Sequence, residues 1–256
     1  MKIKTKLFGS LSIIFIISII GFLLYSVVKY RLLKTQSIEV EITQLKQDLE
    51  AAIESKKEVW ITNALLLANE QLIIKSIKEQ NREDLHKVIT KYGDLFKNNT
   101  NFKNVQIQII DKDLKTFYKS WATDKFGESN DYSAAAKMAR DTKKSICVLE
   151  PSEKGLRLKG LFPIIDENQE FIGIINFEGG LNSIKLLLKN QKFDFLYFIK
   201  DEYLSISGES LKGQPKLGNY TLSQSDIDQE FLDHITKSEY NLNEALQNYI
   251  LNNKYL

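Results

Sequence analysis

The sequence predicts an α+β fold carried on an N-terminal membrane anchor, and three observations predict it. The first is a charge-free apolar run, Leu7–Val28, followed by a stretch from Leu32 to Gln80 with neither proline nor glycine. The second is a set of short strand patterns between residues 104 and 177, separated by turn-forming residues and interrupted once by an alanine-rich segment. The third is that the aromatic and cationic residues of those strands show no catalytic spacing, which points to recognition rather than turnover.

At 256 residues the chain accommodates one or two domains and an accessory helix. Hydrophobic residues make up 43%, enough for a core, and a net charge of +2 provides no basic field for a nucleic-acid partner. The single cysteine, Cys147, excludes an intrachain disulfide and a cysteine-based zinc site. It reads as a small apolar strand residue after Ile146. His86 and His234 have no Cys or His neighbour at ligand spacing. No phosphate-cradling glycine loop, H-E-x-x-H or G-x-S-x-G occurs. Neither an enzyme, a metal nor a cofactor is therefore expected.

Leu7–Val28 has the ~20 apolar residues that a bilayer span needs. It exceeds the ~7–15 apolar residues of a cleaved signal peptide, and no small-residue cleavage site follows. An uncleaved anchor is expected, with residues 1–6 cytoplasmic and the remainder periplasmic, in the inner membrane. Lys2, Lys4 and Lys6 balance Lys29, Arg31 and Lys34, so the charge rule leaves only the α-amino group to set orientation. From 29 to 80 the composition favours one long helix. Ile38, Ile42, Leu45, Leu49, Ala52, Val59, Leu66, Ile73 and Ile77 make a stripe that Lys56, Asn63 and Glu70 interrupt. Such a seam suits a homodimer.

Asn81–Asn99 repeats apolar residues at helical spacing. Val105–Ile110 alternates as a strand, Asp111–Leu114 turns, and Lys115–Trp121 returns. Asp111 and Asp113 fit turn formation better than acid–base work. Ser133–Thr142 is a short helix; Ile146–Glu150, Leu156–Pro163 and Phe171–Phe177 are further strands, with a turn at Asp166–Gln169. Leu181–Lys189 closes the unit. The order describes a PAS-like antiparallel module over 81–190. A second, partial module over 191–256 starts with strands Phe193–Ile199 and Tyr203–Ser207 and a helix from Asp226 capped at Ser225. No second apolar span follows before Leu256, so a truncated receptor or a single-anchor protein is expected.

The sequence resembles the double Cache sensory domains of bacterial sensor kinases, chemoreceptors and diguanylate cyclases. Two runs carry the resemblance. The first matches Phe-x-Arg-Ser-Trp-x-Pro-x-x-x-Gly-Asp at Phe117, Ser120, Trp121 and Gly127. The second matches a glutamate- and glycine-rich run at Glu150, Gly155, Leu156, Leu158, Gly160, Leu161 and Pro163, with Gly173 and Glu178 fitting the closing strand. Lys119 and Lys159 stand where the family usually has arginine, Thr123 replaces a proline, Glu128 an aspartate and Ser152 a glycine. The resemblance implies an extracytoplasmic ligand sensor. Lysine lacks arginine's planar fork, so the ligand's identity does not transfer.

Lys119 and Trp121 are two apart on one strand, as are Arg157 and Lys159 on another, so each pair shares a face. If the faces coincide, three cations and an indole surround one space. That suits a small anionic or zwitterionic ligand, with Glu150 available to an amine or to Arg157. Phe126 lies in the loop after Trp121 that is placed to cover such a pocket. The plainer readings are a core Trp121, solvated Lys119 and Lys159 paired with acids, and glycines kept for turns and close packing.

Overall fold

A computed structural model describes residues 2–99, 105–182, 196–207 and 209–224, with single positions 184, 229, 230, 232 and 233. Met1–Ala52 and Ile53–Leu256 are two units. The first is helical, part of α1 (Lys2–Ala68). Its apolar window has a mean hydropathy of 1.7 and none of it is buried, which satisfies the length and composition of a membrane span. Ile38 and Ile42 of the expected seam are exposed.

In the second unit the helix stops at Ala68. Glu70 then caps α2 (Gln71–Lys78), accepting from Leu72 N, and Tyr92 donates to the same carboxylate at 2.5 Å. This corrects the single helix expected as far as Gln80. A glutamate tied up as a cap favours a fresh helix start over continuation. α3 (Arg82–Asn99) follows.

Five antiparallel strands then form one sheet in the order β2-β1-β5-β4-β3. They are β1 (Gln106–Asp111), β2 (Thr116–Lys119), β3 (Ile146–Ser152), β4 (Gly155–Ile165) and β5 (Phe171–Gly179). α4 (Ala134–Thr142) is inserted between β2 and β3. The expected turns hold for a visible reason. Asp111 Oδ1 accepts from the amides of Asp113 and Lys115, and Asp166 Oδ1 from those of Asn168 and Glu170.

One sheet face is apolar. Ile107, Ile109, Ile175 and Phe177 are buried on it, and Trp60 and Phe96 meet Phe177 edge-on with ring centroids 5.3 and 5.4 Å away. Trp60 sits where β4 and β5 have no side chains. A Cβ on Gly160 would lie 2.9 Å from the Trp60 backbone, and one on Gly179 would lie 2.7 Å from its ring. Trp60 Nε1 donates to Leu158 O at 3.1 Å. These glycines serve close packing, and the buried helix face is Trp60, Ala64, Leu67 and Ala68. Leu66 of the expected seam points away and is 52% exposed.

The second sheet has the order β6-β8-β7, from β6 (Phe198–Lys200), β7 (Lys216–Leu217) and β8 (Tyr220–Leu222). Tyr203–Ser207, expected as a strand, is instead helical: a 3₁₀ turn over Asp201–Tyr203 leads into a helical turn over Leu204–Ser207. The partner of β6 is β8, and Asp201 is held by Lys216 and Thr221, so the chain after it is free to coil. Ser207 Oγ then donates to Ser152 O at 2.5 Å. A five-residue alternation is too short to resist such local bonding. Residues 185–189 of the closing helix, the strand start at Phe193, the Ser225 cap and His234 lie outside the described residues.

Candidate functional site

The other face of the five-stranded sheet carries the chemistry. Register places Lys119 beside Gln108, Gln108 beside Asn176, and Asn176 beside Leu161. The next row runs Gln106, Glu178, Lys159, Val148. Paired residues share a face, so the cations of β2 and β4 do meet on one side. They are not solvated: Lys119, Lys159 and Glu178 are each 3% exposed. α4 covers one end of this face, packing Ala135, Ala136 and Ala139 against Ile110, Leu161 and Ile174.

Buried charge demands partners, and each lysine has them. Lys119 Nζ donates to both Glu128 and Glu153. Burial works against its ammonium, but the bonds and charges of the two glutamates outweigh that and raise its pKa. Burial likewise opposes the Glu153 carboxylate, yet Lys119 and the Trp121 indole hold its pKa below the ordinary value. Trp121 Nε1 reaches Glu153 Oε2 at 3.5 Å, and Lys119 and Lys154 each place Nζ 5.9 Å from the Trp121 ring centre. Strand β2 ends at Lys119, two residues short of the expected end, but Lys119 and Trp121 converge on one carboxylate all the same.

Glu150 is differently employed. It accepts from Ser133 Oγ at 2.7 Å, from Ala135 N at 3.4 Å and from Lys159 Nζ at 3.1 Å. Ser133 in turn caps α4 through Ala136 N, so Glu150 joins the helix N-terminus to the sheet, where negative charge is favoured. Lys159 also donates to Pro151 O at 2.8 Å and lies 5.6 Å from the Tyr132 ring centre. Phe126 is placed against Arg82, whose guanidinium carbon is 3.7 Å from its ring centre, and is 51% exposed. Arg157 has no ion pair among the described residues, and its buried Nε has no acceptor.

A buried amide network completes the face. Asn130 donates to Thr116, Gln108 donates to Thr116 and Asn130, and Asn176 donates to Gln108 and Glu178. With its amide turned to satisfy its neighbours, Gln106 links Glu178 to Lys154. Sequence reasoning missed these residues. The signal was the Gln106-x-Gln108 and Asn176-x-Glu178 alternation, which reads as a wet face until something covers it. Next to the network a cavity of about 640 Å³ is lined by Gln106, Trp121, Lys154 and Arg157 on one side and by Tyr197, Ser210, Gln214 and Gln224 on the other. Burial pushes the Cys147 thiol up to about 12, against the pull of Lys57, as befits an inert strand residue.

An antiparallel sheet with helices packed on one face and an occluded polar face on the other is the sensory module of the PAS and Cache kind. The chain belongs to the family of double sensory domains of two-component sensor kinases, whose model matches residues 36–247. The V. cholerae histidine kinase DctB sensor domain is 14% identical, with a TM-score of 0.52 over 81% of this chain and 78% of that one. The E. coli DcuS sensor domain is 15% identical, with a TM-score of 0.41 over 52% of this chain and 97% of that one. Comparison with curated proteins gives no match.

Proposed function

We propose that this chain is the extracytoplasmic ligand-sensing region of a bacterial transmembrane receptor, of the chemotaxis, two-component or cyclic-dinucleotide type. Leu7–Val28 anchors it in the inner membrane, and modules over 81–190 and 191–256 follow the helix. Its ligand is small and anionic or zwitterionic, held by Lys119, Trp121, Phe126, Glu150, Arg157 and Lys159. The observation that carries this reading is the row of acidic and basic side chains buried on one sheet face beside a cavity of about 640 Å³. A structural core gains nothing from desolvating charges that hydrophobic residues could replace. A ligand carboxylate takes the place of Glu153 between Lys119 and Trp121, and the acids of the face receive a ligand amine. The exposed seam residues Ile38, Ile42 and Leu66 support pairing of two copies along the helix. The ligand signals only insofar as it binds the two helix arrangements with different affinity.

The test is thermal melting of the full chain in lipid nanodiscs against organic acids, amino acids and amines. At least one acid or amino acid raises the melting temperature, and Trp121→Ala abolishes the shift. A library without effect, or a shift that survives Trp121→Ala, overturns the reading. A second reading draws on the ion pairs that already neutralise Lys119 and Lys159. On it the pocket is degenerate and the chain is a membrane-tethered assembly protein. Strong partner capture on cross-linking, with no small-molecule stabilisation, favours that reading.

A further inference from the structure

The cavity beside the polar face is bounded by both sheets. Gln106, Trp121 and Arg157 come from the five-stranded sheet and its turns, while Ser210, Gln214 and Gln224 come from the segment of the three-stranded sheet. The two sides are bonded together at its margin: Leu156 N donates to Ser223 Oγ at 2.7 Å, and Ser207 Oγ donates to Ser152 O. Among the described residues the lining contains two cations, Lys154 and Arg157, and no acid. Lys154 is engaged with Gln106 and the Trp121 ring. Arg157 is not engaged: it has no ion pair among the described residues, and its Nε is buried without an acceptor. Its field is felt nearby, because burial first and the Arg157 charge second lower the Lys56 ammonium to about pKa 8. A guanidinium in a cavity wall with a desolvated, unused donor lacks an oxyanion.

Resting on the ligand-sensing reading, we infer that this cavity is an inter-module site for a hydroxylated carboxylate. Arg157 takes the carboxylate, and the neutral groups of the second sheet's side, Ser210, Gln214 and Gln224, take the hydroxyls. The size suits it, since small-molecule sites span ~300–1,000 Å³. A ligand held here touches both modules and tightens one on the other, whereas a ligand between Lys119 and Trp121 alone touches one.

The experiment is isothermal titration of the full chain in nanodiscs with gluconate and tartrate, beside their neutral counterparts sorbitol and threitol. At least one acid binds and its alcohol does not. Arg157→Gln weakens binding at least tenfold. Arg157→Lys fails to restore it, because lysine lacks the planar fork. Gln214→Trp, which fills the cavity from the other side and leaves Arg157 in the chain, also removes binding, and this arm stands even if the Arg157 variants melt early. Lys200→Gln, at an exposed ion pair, leaves the affinity unchanged. Failure of both acids to bind, equal binding of acid and alcohol, or indifference to both Arg157→Gln and Gln214→Trp overturns the inference. A compound from the melting library that needs Trp121 but ignores both those variants overturns it too, and leaves the receptor reading standing with Arg157 removed from its ligand residues.

Discussion

Trp60 seats the long helix on the sheet at two glycines, and the two seats differ in a way that mutation reads out. A Cβ at Gly160 meets Trp60 C and O at 2.9 Å and its Cβ at 3.0 Å, atoms that any residue at position 60 retains. A Cβ at Gly179 meets Trp60 Cζ2 at 2.7 Å, an atom that phenylalanine lacks. Either alanine overpacks a rigid contact and costs about 1–3 kcal/mol. In a folded region of this size that lowers the melting temperature by roughly 2–4 °C per kcal/mol. Trp60→Phe by itself loses the 3.1 Å bond to Leu158 O, about 1 kcal/mol. The double-mutant cycle separates the seats: Trp60→Phe relieves Gly179→Ala, with a coupling of about 1 kcal/mol or more, and leaves Gly160→Ala unrelieved. Urea unfolding monitored by circular dichroism measures both cycles. Equal rescue of the two alanines, or alanines costing under about 0.5 kcal/mol each, refutes this seating of the helix. The seating matters for function because Glu178 and Lys159, which flank these glycines in sequence, are part of the polar cluster on the opposite face.

Two further predictions concern charge. Lys56 keeps an ordinary 10.5 in the unfolded chain but about 8 in the folded one, through burial and then Arg157. Between those values the unfolded state holds more protons, so stability rises with pH, by at most about 3 kcal/mol before solvent screening reduces it. Chemical unfolding from pH 7.5 to 9.5 shows that rise in the native chain and not in Lys56→Met. The half-buried Cys147, raised from 9.0 to about 12, acts in the opposite direction from about pH 9, and Tyr118, pushed up to about 12 by burial, does so above pH 10, so the native chain is read against Lys56→Met, which keeps both. Glu153→Gln frees Lys119 and Trp121 from a tethered carboxylate, and is expected to tighten the binding of an acid found in the melting screen several-fold. Weaker binding by titration calorimetry contradicts that exchange.

The strands and turns of the five-stranded sheet were legible because aspartates at turn positions and period-two apolar residues state their roles locally. The facing of Lys119, Arg157 and Lys159 was legible because alternation fixes facing once register is granted, whereas Trp121 lies past the end of β2 and reaches the Lys119 cluster from a turn. Their depth of burial was not legible. A glutamine or lysine on an alternating strand looks solvated, and only α4 and the segment of the three-stranded sheet, which fold over from elsewhere in the chain, make the face an interior. Partners escaped for the same reason: Glu128 in a loop and Glu153 in a turn lie 9 and 34 residues from Lys119, with no spacing rule to join them. The break at Asn69–Glu70 was hidden by good helix formers on both sides. The cap that makes it, Glu70, stood out only as an interruption in an apolar stripe.

Hydrogen–deuterium exchange of the full chain in nanodiscs, with and without the compound that gives the largest melting shift, tests the central claim most directly. Sensing on the polar face, coupled to the helix through Trp60, predicts added protection in β2, in the β3–β4 turn around Glu153, and in α1 around Trp60. Protection absent from those segments, or confined to the β2 and β3–β4 side with α1 unchanged, contradicts the account.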